Sequence, residues 1–220
     1  MSQAVGQTDA GGRAPGWPLW LIFVLCLIPE AWLSGADFGL WGVPSARMTA
    51  LTHGAFWAGL LHGWVPNYPA QRWLMFVTYG FLHGGLMHFA LNMVTLFAIG
   101  RPIEDRLGPW RFLWAYVLLL IAGGIGFALL PSGAAPMVGA SGALFGLAGV
   151  LMAWDWQVRT ARGQSHRPVA QTVAWLVALN AGLWVVMDGQ LAWQTHLGGF
   201  VGGWLLAQVW RAEGPSGRSG

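Results

Sequence analysis

Six long apolar stretches divide the chain, and they limit what it can fold into. They cover residues 17–33, 86–100, 112–130, 141–154, 169–187 and 196–210. About 20 apolar residues in a helix cross the ~30 Å hydrocarbon core of a bilayer. Helices are favoured there because they satisfy their own backbone hydrogen bonds. We therefore predict an all-α membrane protein, built as a bundle of six transmembrane helices.

The composition agrees with a membrane protein and argues against a nucleic-acid partner. Apolar residues make up 55% of the chain and charged residues 9%, whereas soluble proteins carry about 25% charged residues. The 16 tryptophans favour a membrane interface. The net charge is +3, but all 11 basic residues are arginines that lie between the apolar stretches rather than in one patch. We interpret them as loop residues of a protein embedded in a lipid bilayer.

The arginines also predict the direction of the six spans. If the N-terminus is cytoplasmic, nine arginines fall inside and two, Arg47 and Arg72, fall outside. This distribution satisfies the positive-inside rule. Both termini are then cytoplasmic, and the second, fourth and sixth spans run from outside to inside.

One membrane domain, residues 17–211, accounts for nearly all of the chain. Residues 1–16 and 212–220 are rich in Gly and Ser, which predicts disordered cytoplasmic ends. The long outer loop, residues 34–77, contains many large apolar residues, so we expect it to lie partly in the membrane interface. A cleaved signal peptide at the first stretch is disfavoured, because Pro29 and Glu30 interrupt it before any cleavage site.

Polar side chains within the spans are costly, which makes them candidates for function. His88 and Asn92 lie in the second span, Ser141 begins the fourth and His196 begins the sixth. His88, Ser141 and His196 lie 13, 14 and 15 residues before the next charged residue toward the cytoplasmic end. At 1.5 Å per helical residue, all three lie roughly 20 Å above that end. Three spans thus predict one recessed polar site, open to water from outside.

A serine and a histidine at one depth indicate nucleophilic catalysis, with Ser141 as nucleophile and His196 as base. None of the eight acidic residues falls at this depth within a span, and Asp188 lies in the loop before the sixth. We therefore predict a Ser–His dyad rather than a triad. Oxyanion donors could come from His88, Asn92 and the backbone at Gly139, beside a helix N-terminus.

Each of these features also has a simpler explanation. A Gly-Ala-Ser-Gly run usually serves helix packing, as do glycine pairs four residues apart, here Gly142 and Gly146. A lone histidine or asparagine in a span often makes an interhelical hydrogen bond. A metal site at the histidines is disfavoured, because the chain has no HExxH motif and its one cysteine, Cys26, is distant. The combination is more specific than any part.

Three motifs together resemble the rhomboid family of intramembrane proteases. Residues 81–93, FLHGGLMHFALNM, resemble its H-x4-H-x3-N motif. Gly139-Ala140-Ser141-Gly142 resembles its G-x-S-G motif, and residues 196–199, HLGG, resemble its H-x-x-G. The similarity covers about residues 71–210. Because the six-span form resembles bacterial members of the family, we expect the protein to lie in the inner membrane of the cell.

The resemblance implies a role for each motif residue. Ser141 would attack a peptide carbonyl, His196 would take its proton, and His88, Asn92 and the Ser141 backbone would hold the oxyanion. His83 would support the site. Substrates would be transmembrane proteins cut near the outer face, without a cofactor. The family's Trp-Arg pair before the first histidine is replaced here by residues 74 and 75, Leu-Met.

Two alternatives to a protease are a relative that binds membrane proteins without cleaving them and a transporter. Silent relatives that only bind membrane proteins lack the serine or the histidine, and both are present here. A transporter would show internal repeats and charged relay residues, which this sequence lacks. The sequence therefore favours a serine endopeptidase, with substrates and oligomeric state left open.

Overall fold

The structure, a computed structural model, describes residues 16–130 and 133–211. That part of the chain contains eight α-helices and two 3₁₀ turns, at Ala58–Leu61 and Tyr79–Phe81, and no β-strand. The helices are α1 (Trp17–Asp37), α2 (Ala46–Gly54), α3 (Gln71–Thr78), α4 (Leu86–Leu107), α5 (Pro109–Leu129), α6 (Ser141–Ala161), α7 (Arg167–Val186) and α8 (Trp193–Val209). The all-α prediction is confirmed. The disorder predicted for residues 1–16 and 212–220 concerns residues outside those that the structure describes, except Gly16, whose N–H donates to Glu104 Oε2 at 3.1 Å.

The six long helices coincide with the six apolar stretches, although three of them continue well past the C-terminal ends of the stretches. Helix α1 continues through Pro29 to Asp37, α6 continues to Ala161, and α4 continues to Leu107, where Gly108 ends it at φ 75°. By length and composition, α1, α4, α5 and α7 can cross a membrane. Helix α8, with 17 residues, is shorter than a full span. The count of six spans stays a prediction.

Helix α6 lies at the centre of the bundle, against α4, α5 and α8. Its contact with α8 depends on glycines that let the two backbones touch. A Cβ atom added at Gly199 would overlap the Gly142 carbonyl oxygen, and one at Gly203 would overlap the Gly146 carbonyl oxygen. Small residues at such spacing are how membrane helices approach closely.

Helix α7 differs from the other long helices because it is nearly unburied. Val169 is the one residue of α7 that is buried. Large apolar side chains of α7, including Trp175, Val177 and Leu179, are more than half exposed. Apolar surface of this extent on a helix that can cross a membrane is suited to contact with lipid.

The connection between α1 and α4 (residues 38–85) covers one end of the bundle. Helix α2 packs on α1, and α3 packs on α5. Phe56, Met75 and Tyr79 are fully buried, whereas Trp41 and Trp73 are exposed. The connection thus has an apolar side facing the helices and exposed tryptophans on its other side.

A single arginine ties this connection to α1. The Arg47 guanidinium donates two hydrogen bonds to the Glu30 carboxylate, at 3.0 and 3.1 Å, and one to Asp37 at 2.6 Å. Its remaining donors reach Ser34 Oγ at 3.1 Å and the His83 carbonyl oxygen at 2.8 Å. All five guanidinium donors are therefore used. The Arg47 guanidinium thus provides the opposite charge and the donors that the buried Glu30 carboxylate requires.

We expect that Gly203→Ala lowers the free energy of unfolding by about 1–3 kcal/mol, because the added methyl meets backbone that cannot rotate away. The matched control is Gly182→Ala on α7, where an added Cβ has no atom within 4 Å. Thermal unfolding in detergent measures both. Equal midpoints for Gly203→Ala and the native protein would contradict the close contact of α6 and α8.

Arg47→Ala should destabilise the protein by about 3–5 kcal/mol, because it leaves the buried Glu30 carboxylate without its partner. Asp37→Asn is the control, since the Asp37 side chain is 38% exposed and exposed ion pairs contribute about 1 kcal/mol or less. Chemical unfolding in detergent would compare the two. Equal losses for both variants would show that the Glu30 contact is not the one that matters.

Candidate active site

Ser141 and His196 meet where α6 and α8 begin. Ser141 is the first residue of α6, and His196 lies in the first turn of α8. The distance from Ser141 Oγ to His196 Nε2 is 2.8 Å, which is a hydrogen bond. The glycine contact between the two helices sets this distance. The structure therefore brings together the two side chains that the sequence pairs.

The other edge and one face of the His196 ring are also held. Its Nδ1 lies 2.9 Å from Asn180 Oδ1 on α7, and the Phe145 ring stacks on it at 4.2 Å with planes 7° apart. Sequence reasoning missed Asn180. The sequence nevertheless contains an indication of its depth, because Asn180 is a polar residue of the fifth stretch, 13 positions after Arg167. At 1.5 Å per residue, that places it at the same depth of roughly 20 Å.

His88 lies against the loop that precedes Ser141. The backbone N–H of Gly84 donates to His88 Nδ1 at 3.3 Å, so the ring carries its proton on Nε2 when neutral. Gly139 has φ 117°, and a Cβ added there would lie 2.7 Å from His88 Cε1 and 2.8 Å from Nε2. Only glycine fits this position on both counts. His88 Nε2 thus lies beside the backbone of Gly139, two residues before Ser141.

Asn92 and His83 lie on either side of His88 along the chain. Asn92 is one helical turn further on, and its Nδ2 donates to the His88 carbonyl oxygen at 2.7 Å. The second Nδ2 hydrogen remains available to another acceptor. His83 is fully buried, and its ring meets those of His88 at 5.3 Å and Phe89 at 5.5 Å. His83 therefore packs directly against the His88 ring, and its supporting role stays a prediction.

Backbone hydrogen bonds fix the loop before Ser141 to the α1–α4 connection. Phe56 and Met137 exchange both of their backbone hydrogen bonds, at 2.9 and 3.0 Å. The Gly139 N–H donates to the Tyr79 carbonyl oxygen at 3.0 Å, so the Gly139 N–H that the sequence suggested as an oxyanion donor is already used within the fold. The Tyr79 hydroxyl in turn donates to the Leu120 carbonyl oxygen on α5 at 2.8 Å. The connection thus positions the start of α6.

A cavity of about 680 Å³ lies between α7 on one side and α6 and α8 on the other. Apolar side chains dominate its wall, among them Phe145, Leu176, Val177, Trp184, Phe200 and Val201. His196 and Asn180 are its polar members on the two facing helices. The base of the Ser–His pair therefore borders a space wide enough for apolar side chains.

Among residues 16–130 and 133–211, no carboxylate is hydrogen-bonded to the His196 ring, and no cluster of metal-binding side chains is present. The hydrogen-bond partners of the His196 ring are Ser141 and Asn180, neither of them a carboxylate. The same described residues contain no group of three or more His, Cys, Asp or Glu side chains that could hold a metal ion.

Fold and site together define a helical membrane protein with a hydrogen-bonded serine–histidine pair recessed among its helices. The family model described as the Rhomboid domain matches residues 70–213, which include Ser141, His196, Asn180, His88, Asn92 and His83. The chain therefore belongs to the rhomboid family.

Curated relatives from a plant and a bacterium are similar to this chain over part of its length. The chain is 31% identical to RHOMBOID-like protein 5 of Arabidopsis thaliana over 63% of its own length and 44% of that protein. It is 30% identical to rhomboid protease GluP of Bacillus subtilis over 62% of its length and 26% of GluP. YdcA of Bacillus subtilis is 30% identical over 69% of this chain and 74% of YdcA. The chain thus spans less than half of the first two relatives.

Proposed function

We propose that this protein is an intramembrane serine endopeptidase that hydrolyses peptide bonds in or next to transmembrane helices. The observation that carries the proposal is the 2.8 Å hydrogen bond between Ser141 Oγ and His196 Nε2. A serine hydroxyl is a weak nucleophile unless a base within this reach takes its proton. Membership of a family that includes a rhomboid protease supports the same activity.

In the first step, Ser141 Oγ attacks the peptide carbonyl carbon while its proton passes to His196 Nε2. The carbonyl oxygen becomes an oxyanion. The His196 imidazolium then gives its proton to the leaving amine, and an acyl-enzyme on Ser141 remains. A water molecule attacks the acyl-enzyme with His196 again as base, which releases the second product and restores the serine.

Three donors are proposed for the oxyanion. The backbone N–H of Ser141 lies at the start of α6, where helix N–H groups lack intrahelical partners. His88 offers Nε2–H beside Gly139, and Asn92 offers the second hydrogen of its amide. Donors that are oriented before the reaction stabilise the developing charge strongly, because they need no reorganisation as it forms.

We further propose that the protein lies in the inner membrane of a bacterial cell, with both termini in the cytoplasm and the site toward the outside. The nine-to-two distribution of arginines supports this direction. Substrates are then membrane proteins whose transmembrane helices reach the site through the lipid. The apolar cavity beside His196 is suited to such a substrate.

We predict that Ser141→Ala and His196→Ala each lower cleavage of a model transmembrane substrate by at least about 10⁴-fold, because removing either partner removes the activated nucleophile. The assay uses purified protein in proteoliposomes. Ser165→Ala and His62→Ala are the controls, since both side chains are exposed and outside the site. Undiminished cleavage by Ser141→Ala would overturn the proposed function.

His88→Ala should lower kcat by about 10²–10³-fold with little change in KM, because an oxyanion donor acts in the transition state and not in the bound substrate. His53→Ala, which removes an exposed imidazole on α2, is the matched control. A rise in KM at unchanged kcat would instead assign His88 to substrate binding.

A further inference from the structure

We propose that Asn180 is a positioning residue for the base, so that the working unit is Ser141–His196–Asn180 rather than a dyad. This inference rests on the proposed function for its effect on catalysis. Its structural part, the orientation of the His196 ring by a side chain of α7, can be tested without any substrate.

The hydrogen-bond geometry assigns the direction of each bond. Asn180 Oδ1 lies 2.9 Å from His196 Nδ1, and Ser141 Oγ lies 2.8 Å from Nε2. A base that takes the serine proton needs a free lone pair on Nε2, so the neutral ring must carry its own proton on Nδ1. The carbonyl oxygen of an amide can only accept, and it therefore selects the tautomer that Ser141 needs.

Without such an acceptor, the imidazole could place its proton on either nitrogen. The tautomer with the proton on Nε2 would donate to Ser141 and could not act as its base. Asn180 removes this ambiguity, and the stacked Phe145 ring restricts rotation of the imidazole out of plane. Ser141, Asn180 and Phe145 thus fix two edges and one face of the ring.

The surroundings explain why an amide can occupy this position on a lipid-exposed helix. Asn180 and His196 border an apolar cavity, where a carboxylate would bring an additional charge that is costly to bury. A neutral amide provides the acceptor without that cost. When His196 becomes an imidazolium, Nδ1–H still donates to the same oxygen, so the contact persists through the proton transfer.

The position of Asn180 also links the base to the most loosely packed long helix. Helix α7 buries one side chain, Val169, whereas α6 and α8 are in close backbone contact. Ser141 and His196 are carried by the close-packed pair, and the residue that orients His196 is carried by α7. The orientation of the base therefore depends on where α7 lies.

The kinetic test compares Asn180→Leu and Asn180→Asp with the native protein in proteoliposomes. Asn180→Leu, similar in size but without an acceptor, should lower kcat by about 10-fold, the loss of one neutral hydrogen bond, and leave KM almost unchanged. Asn180→Asp keeps an acceptor and should have the native kcat, with the acid limb of the pH–rate profile moved to higher pH. The reason is that a carboxylate holds the proton on His196 more strongly, and the base must be neutral to act.

Two controls separate positioning from general damage to α7. Leu179→Ala removes a neighbouring side chain that is 56% exposed. Asp188→Asn removes the acid nearest in sequence to His196, in the loop after α7. Both should keep the native kcat and the native acid limb. Melting temperatures of all variants in detergent are measured alongside.

The second readout is the tautomer itself, obtained from ¹⁵N chemical shifts of histidine-labelled protein, with the His196 signals assigned by their loss in His196→Ala. The native ring should carry its proton on Nδ1, and Asn180→Leu should populate the other tautomer. An unchanged tautomer or a native kcat in Asn180→Leu would overturn the proposal, as would an unmoved acid limb in Asn180→Asp. If the native protein shows the Nδ1–H tautomer but does not cleave substrate, the proposed function fails while the orientation of the ring stands.

Discussion

Helices α6 and α8 touch backbone to backbone, and the other features of the site depend on that contact. A Cβ atom added at Gly199 or Gly203 would overlap a carbonyl oxygen of α6. With larger residues the axes would lie further apart, and a serine at the start of α6 could not reach a histidine in the first turn of α8. In lipid, where apolar side chains gain little from meeting each other, such contacts between small residues are a main source of helix association. The chemistry at Ser141 is thus set by glycines that take no part in it.

A second constraint fixes the site from the side of the α1–α4 connection. Arg47 uses all its donors on the Glu30, Ser34 and Asp37 side chains of α1 and on the His83 carbonyl oxygen. The backbones of Phe56 and Tyr79 form hydrogen bonds with the loop before Ser141. Leu74 and Met75, at the positions of the family's Trp-Arg pair, are apolar and cannot form ion pairs of this kind. Arg47 anchors the connection instead, although its sequence position indicates only a positive charge in the long outer loop.

Much of the fold and the site could be predicted because the membrane simplifies the problem. Apolar length indicates helices, and the few polar residues within spans indicate function, so Ser141, His196, His88 and Asn92 can be selected from the sequence as candidate site residues. The roles of those residues stay predictions until they are tested. What depth could not provide was the rotation of each helix about its axis. Asn180 has the right depth, yet whether it faced lipid or His196 depended on how α7 packs.

Labelling with a fluorophosphonate is the most direct test of the claim that His196 activates Ser141. The reagent forms a bond from phosphorus to an activated serine oxygen as fluoride leaves, and it needs no transmembrane substrate. Tandem mass spectrometry of the labelled native protein should locate one adduct on the peptide that contains Ser141, and His196→Ala should give none at the same reagent concentration. An adduct on another serine, or equal labelling of Ser141 in His196→Ala, would contradict the account.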